Sequence, residues 1–246
     1  MRLDPRTRLL GIPLLFLPPL VMQAPAYLLP ITAVTGLWLW RAGGGPRLRA
    51  ALPLIGVLML SSLVLWSFFV KGQTPLWGPF TVEAVVFGSG MGLRLCAFTL
   101  IGLLYLTLSP VEETAWALNR LGMPFAVSFA IVSAFRLMER TARTAQTVFA
   151  AQTARGLKLD EGSILHRIRA YIPLMVPVLV LSLRRVDLMA MAMESRAFGA
   201  KCRRTSLLDF RMRAADWLTL IVCLLVATGA VWLRLHGHGV LIPGRL

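Results

Sequence analysis

Apolar positions along the chain fall into five runs separated by short polar or basic segments. The runs are Leu9 to Met22, Ala26 to Trp40, Ala50 to Val70, Ala84 to Leu108 and Ala214 to Leu235. A helix needs about 20 apolar residues to cross the ~30 Å hydrocarbon layer of a bilayer. The pattern therefore predicts about five transmembrane helices. The first two runs are short or interrupted by prolines, so we expect these two helices to be tilted, kinked or partly re-entrant.

The segment 109–213 contains no run long enough to cross a bilayer. Its longest apolar run, Tyr171 to Leu183, has 13 residues and includes Pro173 and Pro177. Such a run is more typical of a helix that packs on the membrane surface. We therefore expect this segment to form about three amphipathic cytoplasmic helices.

The first of these helices is predicted from its start signals. Ser109 is a candidate N-cap, Pro110 suits the first turn, and Glu112 lies where the helix dipole favours an acid. Gly122, with Pro124 two residues later, should end the helix near Leu121.

The second helix is predicted from Phe125 to Arg155 by apolar residues that recur every three or four positions. Arg136, Arg140 and Arg143 fall away from that apolar stripe. Gly156 is a favourable C-terminal cap, which places Arg155 in the last turn.

The third helix should follow a turn at Asp160 to Gly162, with Ser163 as its cap. We expect it to run to Phe198 and to be closed by Gly199. The sequence thus predicts an all-α polytopic membrane protein in three parts: transmembrane helices in 1–108, coupling helices in 109–213, and a last transmembrane helix with its tail in 214–246.

Charge gives the orientation of these helices. The formal net charge of +15 would suggest nucleic acid in a soluble protein, but 57% of this chain is apolar and its mean hydropathy is +0.72. Lys and Arg number three in residues 1–8, three in 41–49, one in 71–83 and sixteen in 109–213. Because cytoplasmic loops of membrane proteins are enriched in basic residues, we expect the N-terminus and 109–213 to be cytoplasmic, with no nucleic-acid partner.

Two short triplets end the second and third cytoplasmic helices in the same way. They are Ala154-Arg155-Gly156 and Ser195-Arg196-Ala197. One interpretation is an ordinary helix-end arginine that binds the terminal carbonyls. The other is a partner surface, because small neighbours leave the guanidinium accessible to a carboxylate on another protein, which it can bind with two hydrogen bonds.

No motif for catalysis accompanies the triplets. The sequence has no phosphate-binding Walker lysine motif, no HExxH and no paired-aspartate cluster, so we expect no catalytic residue, metal or cofactor and no enzyme activity. A membrane-bound enzyme is therefore a weak alternative.

Arg94 lies inside the fourth apolar run, where an arginine costs about 2.5–3.5 kcal/mol unless it faces protein or water. We expect it to have a structural partner.

Several segments together resemble one known family. They are "LDPRTRLL" (Leu3 to Leu10), "SPVEETAWALNRLGMP" (Ser109 to Pro124), "AAQTARG" (Ala150 to Gly156), "IPLMVPVLVLSLRRVDLMAMAMESRAFG" (Ile172 to Gly199) and "RRT" (Arg203 to Thr205). In this order they look like the transmembrane coupling subunit, or T component, of energy-coupling-factor (ECF) transporters, a group that includes the CbiQ and BioN proteins. A conventional ABC importer permease is the alternative, although its coupling-loop glutamate is missing here.

The resemblance implies a role in a prokaryotic cytoplasmic membrane. In the family this subunit bridges two ABC-type ATPases and a small membrane-embedded substrate-binding subunit, in an importer of vitamins or transition-metal ions. The arginines of two triplets each dock in a groove on one ATPase, and those positions correspond to Arg155 and Arg196. The second triplet reads Ser-Arg-Ala where many members have Ala-Arg-Gly or Ala-Arg-Ser, which keeps the arginine and its small neighbours.

Overall fold

The computed structural model describes residues 4–70, 75–77, 80–157, 164–200 and 212–237. Its helices are α1 (Pro5–Val21), α2 (Pro25–Leu39), α3 (Gly45–Phe69), α4 (Val82–Leu108), α5 (Val111–Arg120), α6 (Phe125–Ala154), α7 (Ile164–Ser195) and α8 (Ala214–Leu235). A π-helical turn, Trp40–Gly44, joins α2 to α3, and the short strands β1 (Pro75–Trp77) and β2 (Phe80–Thr81) pair antiparallel. The predicted all-α membrane fold is confirmed.

The helices belong to two compact units. One unit comprises Met1–Gly122 with Phe210–Leu246, and the other comprises Met123–Asp209. The first contains α1 to α5 and α8, and the second contains α6 and α7. The predicted turn at Asp160–Gly162 and its Ser163 cap lie outside the described residues.

Three helical stretches of the described chain are long and apolar enough to cross a bilayer. They are Pro25–Phe69 with 45 residues, Val82–Leu108 with 27 and Ala214–Leu235 with 22. The first of these reverses direction at Gly43, whose φ of 83° lies in the left-handed region that glycine adopts without strain. It therefore forms two helices, as the sequence predicted. The remaining helix, α1, has 17 residues with Pro13, Pro18 and Pro19 inside it.

Helix α4 lies at the centre of the first unit, with α2 and α3 packed on it. Leu39 of α2 is buried against Leu100 and Leu104 of α4. Small residues allow the closest approaches, as is usual between membrane helices. A side chain at Gly90 would collide with the Gln23 carbonyl oxygen, and one at Gly92 would lie 2.6 Å from Met59 Sδ.

Helices α1 and α8 form a parallel pair tied together at their first residues. Asp4 caps α1 by accepting from the Arg6 N–H (2.9 Å), and the Asp4 N–H donates to Asp216 Oδ1 (2.8 Å). The other oxygen of Asp216 accepts from the Arg213 N–H (2.8 Å). Both aspartates are buried. Because each buried oxygen of Asp216 accepts a backbone N–H, this carboxylate fixes the start of α1 against the start of α8.

Arg94 lies beside the other end of α1. Its Nε donates to the Pro19 carbonyl (2.7 Å), and its Nη2 donates to the carbonyls of Leu20 (2.7 Å) and Met22 (3.1 Å). The last carbonyls of a helix have no partner within the helix, and in a bilayer water does not supply one. Arg94 therefore caps α1, a structural role consistent with the expectation from sequence.

The outward faces of this unit are apolar. Exposed large side chains occur along every long helix of the bundle, which is the surface that lipid requires. On α3 alone they are Leu52, Leu54, Val57, Leu60, Val64, Leu65, Phe68 and Phe69.

The second unit is an antiparallel pair of helices. Gln152 Nε2 of α6 donates to the Pro173 carbonyl of α7 (3.4 Å), and Arg185 Nη1 of α7 approaches Thr144 Oγ1 of α6 (3.4 Å). At the opposite end, the ring centroids of Phe129 and Phe198 are 4.6 Å apart. The C-terminus of each helix therefore lies beside the N-terminal part of the other.

Replacing Arg94 by Lys keeps the charge but loses the guanidinium that donates to three carbonyls of α1. A single ammonium group cannot reproduce all three hydrogen bonds. We expect the free energy of unfolding to fall by about 1.5–3 kcal/mol, the usual contribution of a hydrogen bond to a charged group. Thermal unfolding in detergent, followed by tryptophan fluorescence, measures the loss.

Arg47 provides the matched control, because it is exposed and its Nη1 donates over 3.4 Å to the Leu106 carbonyl. Arg47→Lys should change the unfolding free energy by less than about 0.5 kcal/mol. Equal effects of the two substitutions would show that Arg94 is not a cap.

Candidate functional site

The first arginine triplet, Ala154 to Gly156, forms the complete C-terminal cap of α6. Gly156 has φ 92°, its N–H donates to the Thr153 carbonyl (2.9 Å), and the Leu157 N–H donates to the Gln152 carbonyl (3.0 Å). These two backbone bonds define a Schellman motif. Backbone N–H groups thus bind the carbonyls of Gln152 and Thr153, and Arg155 is the cap residue.

The second arginine triplet, Ser195 to Ala197, repeats the same motif at the end of α7. The Ala197 N–H donates to the Glu194 carbonyl (2.9 Å), and the Phe198 N–H donates to the Met193 carbonyl (2.9 Å). Arg196 therefore occupies the position at the end of α7 that Arg155 occupies at the end of α6.

The end of α7 differs from the prediction in one respect. The helix was expected to run to Phe198 and to be closed by Gly199, but it ends at Ser195 and Ala197 takes the left-handed conformation, with φ 53°. Alanine in this region is disfavoured because its Cβ crowds the following carbonyl. Phe198 packs on Phe129 directly after it, which holds the strained turn in place.

Both arginine side chains remain available to a partner. Arg155 and Arg196 are exposed, and neither guanidinium has a hydrogen bond or ion pair within the part of the chain that the structure describes. Ala154, Gly156, Ser195 and Ala197 are also exposed and carry no bulk. The interpretation that these arginines bind terminal carbonyls does not fit, because neither guanidinium donates to a carbonyl of the described residues and backbone N–H groups bind those of Thr153 and Glu194.

Exposure alone does not distinguish the two arginines. Arg143 of α6 and Arg184 of α7 are exposed as well. Arg155 and Arg196 differ in lying at the two ends of the antiparallel pair. From Phe129 to Gln152 the helix rises roughly 35 Å at 1.5 Å per residue, so the triplets are separated by at least that order of distance. The two arginines therefore lie far apart, at opposite ends of the α6–α7 pair.

The N-cap of α5 lies one residue after the serine that was predicted to cap it. Pro110 occupies the N-cap position, and Ser109 Oγ is buried with no hydrogen-bond partner, so the prediction that Ser109 caps this helix is wrong. The cause is local: the Ser109 N–H completes the last turn of α4 by donating to the Tyr105 carbonyl (2.8 Å). The acidic first turn, with Glu112 and Glu113, is as predicted.

An ion pair joins α5 to the membrane helices. Arg8 Nη1 lies 2.8 Å from Glu113 Oε2 and also donates to the Leu108 carbonyl at the end of α4. The side chains are 8% and 19% exposed, so the pair is shielded from water and interacts more strongly than a surface pair.

Aromatic contacts add to the same junction. The guanidinium carbons of Arg6 and Arg120 lie 5.3 Å and 5.2 Å from the ring centroid of Trp116, within the range of cation–π attraction. Sequence reasoning missed these contacts, although it singled out "LDPRTRLL". Arg6 and Arg8, which follow the Asp-Pro start of α1, were the available signal for such contacts. Their partners could not be identified from local sequence because they lie about a hundred residues away along the chain.

Within the described residues, no group of three or more His, Cys, Asp or Glu side chains is placed to hold a metal ion. Cys96 and Cys223 are buried free thiols on different helices. His236 Nδ1 lies 2.9 Å from the Trp232 carbonyl, and His238, two residues further along the chain, lies outside the described residues.

Comparison with known proteins gives the class and then the family of this polytopic membrane protein. The sequence model of the CbiQ family, described as a cobalt transport protein, matches residues 1–207. A relative from Thermosediminibacter oceani, named energy-coupling factor transporter transmembrane protein EcfT, is 32% identical over 198 residues, which cover 76% of this chain and 74% of the relative.

Proteins of the same name show the likeness over longer stretches. The one from Heliobacterium modesticaldum is 30% identical over 88% of this chain and 86% of its own length. The one from Acidaminococcus fermentans is 28% identical over 95% of this chain and 91% of its own length. The chain therefore belongs to the CbiQ family of transport proteins, together with the transmembrane proteins of ECF transporters. The names of these relatives describe transporter components, not enzymes.

The two caps predict opposite effects of exchanging glycine and alanine. Gly156→Ala should destabilise the end of α6 by about 1 kcal/mol, because alanine must then adopt positive φ. Ala197→Gly should stabilise the end of α7 by about 0.5–1 kcal/mol. Hydrogen exchange of the Leu157 and Phe198 amides measures both. Changes of the same sign at the two amides would contradict the equivalence of the two caps.

Proposed function

We propose that this chain is the transmembrane coupling subunit of an ECF-type importer, which takes up a vitamin or a transition-metal ion. In this role it transmits the movement of two ABC ATPases to a membrane-embedded substrate-binding subunit. Membership of the family supports the proposal, as do the names of its relatives. The conventional ABC permease is disfavoured by the same likeness.

The observation that carries the proposal is the pair of equivalent helix ends. At each end the backbone closes the helix, and the arginine keeps its five N–H donors for another protein. A planar guanidinium on a rigid helix end suits a carboxylate in a groove, where two parallel hydrogen bonds form. Two such ends, roughly 35 Å apart by helix rise, suit one ATPase each.

A second surface supports contact with the substrate-binding subunit. Helices α6 and α7 expose more large apolar side chains than a solvated helix pair tolerates, and contiguous exposed apolar patches mark protein or membrane contacts. These include Phe135, Met138, Met175, Leu179, Leu183 and Met191. Methionine side chains are flexible, so this surface suits a partner that changes position during transport.

Helix α5 is fixed to the membrane helices of its own unit. The shielded Arg8–Glu113 pair and the Trp116 stack hold α5 on α1. Movement of α5 would therefore act on α1 and, through the Asp4–Asp216 hydrogen bond, on the start of α8. ATP-driven coupling then needs two arrangements of similar energy that nucleotide binding biases.

Replacing both Arg155 and Arg196 by Glu should detach the ATPases. Loss of an arginine bound to a buried carboxylate costs about 2–5 kcal/mol, or roughly thirtyfold or more in affinity. Each single substitution should weaken transport, and the double substitution should abolish co-purification of the cognate ATPases. Pull-down and ATP hydrolysis rates measure these effects.

Arg143→Glu on α6 and Arg184→Glu on α7 are the matched controls, since both are exposed arginines away from the helix ends. Each should change affinity by less than about fivefold, as for a surface charge. If the double triplet variant still binds both ATPases and transports normally, the triplets serve only to end their helices.

The proposed orientation places the N-terminus and residues 109–213 in the cytoplasm, on the basis of the Lys and Arg distribution. In a cysteine-free background, a membrane-impermeant maleimide should label a cysteine at Gly237 in intact cells and leave one at Leu157 unlabelled. Gly237 is exposed and Leu157 is partly exposed, so a cysteine at either position can react and access of the reagent across the membrane decides the result. Labelling at Leu157 alone would invert the orientation.

A further inference from the structure

Two arginines from different helices donate hydrogen bonds to the carbonyls at the C-terminal end of α1. Arg94 of α4 donates to the carbonyls of Pro19, Leu20 and Met22, and Arg234 of α8 donates through Nη1 to the Val21 carbonyl between them. Because they bind adjacent carbonyls of one helical turn, the two guanidinium groups lie close together.

The charge of these two arginines has no carboxylate partner in the part of the chain that the structure describes. Within the described residues, no carboxylate lies within ion-pair distance of Arg94 or Arg234. The carboxyl ends of α1 and α8 each contribute about half a negative charge through their helix dipoles. A net charge of about +1 therefore remains at the edge of a bilayer protein, where unbalanced charge is costly.

Arg234 has donors left for a ligand. Its side chain is exposed, and within the described chain Val21 is its single hydrogen-bond acceptor. The Nε and Nη2 groups of this guanidinium therefore have no acceptor within the described residues. Arg94, by contrast, uses Nε and Nη2 on α1, and its Nη1 contacts Met91 Sδ at 3.8 Å.

The length of α8 favours a position for Arg234 near one boundary of the membrane. Arg234 is in the last turn of α8, whose 22 apolar-rich residues span about 33 Å at 1.5 Å per residue, close to the hydrocarbon thickness. Leu20, Trp232 and Leu235 are exposed around it, and tryptophan is typical of the membrane–water boundary. Acyl chains can therefore lie against these side chains while a headgroup meets the arginines.

We propose that Arg94 and Arg234 bind the phosphate group of a phospholipid in the leaflet at this end of the bundle. Arg234 supplies the direct hydrogen bonds, and Arg94 supplies the second positive charge. A phosphodiester carries one negative charge and accepts bidentate hydrogen bonds from arginine. The proposal does not depend on the transport role.

The test uses the full-length protein in detergent and native mass spectrometry. The probes are phosphatidylglycerol, diacylglycerol with the same acyl chains, and inorganic phosphate. We expect the unsubstituted protein to retain phosphatidylglycerol over diacylglycerol. Arg234→Gln should lower phosphatidylglycerol affinity about tenfold, the effect of losing one charge-assisted contact. The phosphatidylglycerol affinity of Arg234→Lys, which keeps the charge, should lie between that of the unsubstituted protein and that of Arg234→Gln.

Arg49→Gln is the control, because Arg49 is exposed near the start of α3, at the opposite end of the bundle. It should leave phosphatidylglycerol retention unchanged. Equal losses for Arg49→Gln and Arg234→Gln would overturn the proposal, since any boundary arginine would then suffice. Retention of diacylglycerol equal to phosphatidylglycerol would also overturn it. If inorganic phosphate fully displaced the lipid in competition, the site would bind a free anion, and the proposal of a phospholipid ligand would be overturned.

Discussion

The carbonyl groups at the end of each helix impose the constraint on which this structure depends. They have no partner inside the helix, and each must be satisfied by a side chain, by the following backbone or by water. At the end of α1, which lies in the membrane unit, Arg94 and Arg234 supply the donors. At the ends of α6 and α7 the following backbone N–H groups supply them. The choice of donor decides whether an arginine is structural or is available to a partner.

A comparable use of charge holds the first unit together at its other end. The short segment from Asp4 to Arg8 contacts α8 through Asp216, the end of α4 through the Leu108 carbonyl, and α5 through Glu113. Arg8 and Glu113 are shielded from water and form an ion pair, so each of these two charges has a specific partner. One turn of helix thereby joins three other helices of the first unit.

Hydropathy predicted the membrane helices to within a few residues, because the bilayer requires long apolar runs whatever their neighbours are. It placed the start of α1 at Leu9 and missed four residues, since Asp4 and Pro5 begin the helix by capping. The left-handed alanine at 197 was not predicted, because Gly199 carries the stronger local signal. The partners of Arg8 and Arg94 depend on residues far along the chain, which no local pattern reveals. The positions of both triplets at helix ends were predicted from local pattern alone.

The most direct test of the two-ended docking proposal is site-specific photocrosslinking in the assembled transporter. A photoreactive amino acid at Ala154 or at Ser195 lies next to each arginine without replacing it, and both positions are exposed. With both positions substituted in one chain, crosslinks should form to two separate ATPase subunits in the same complex. Crosslinks from both positions to a single ATPase, or to lipid alone, would contradict the proposal that each helix end docks its own ATPase.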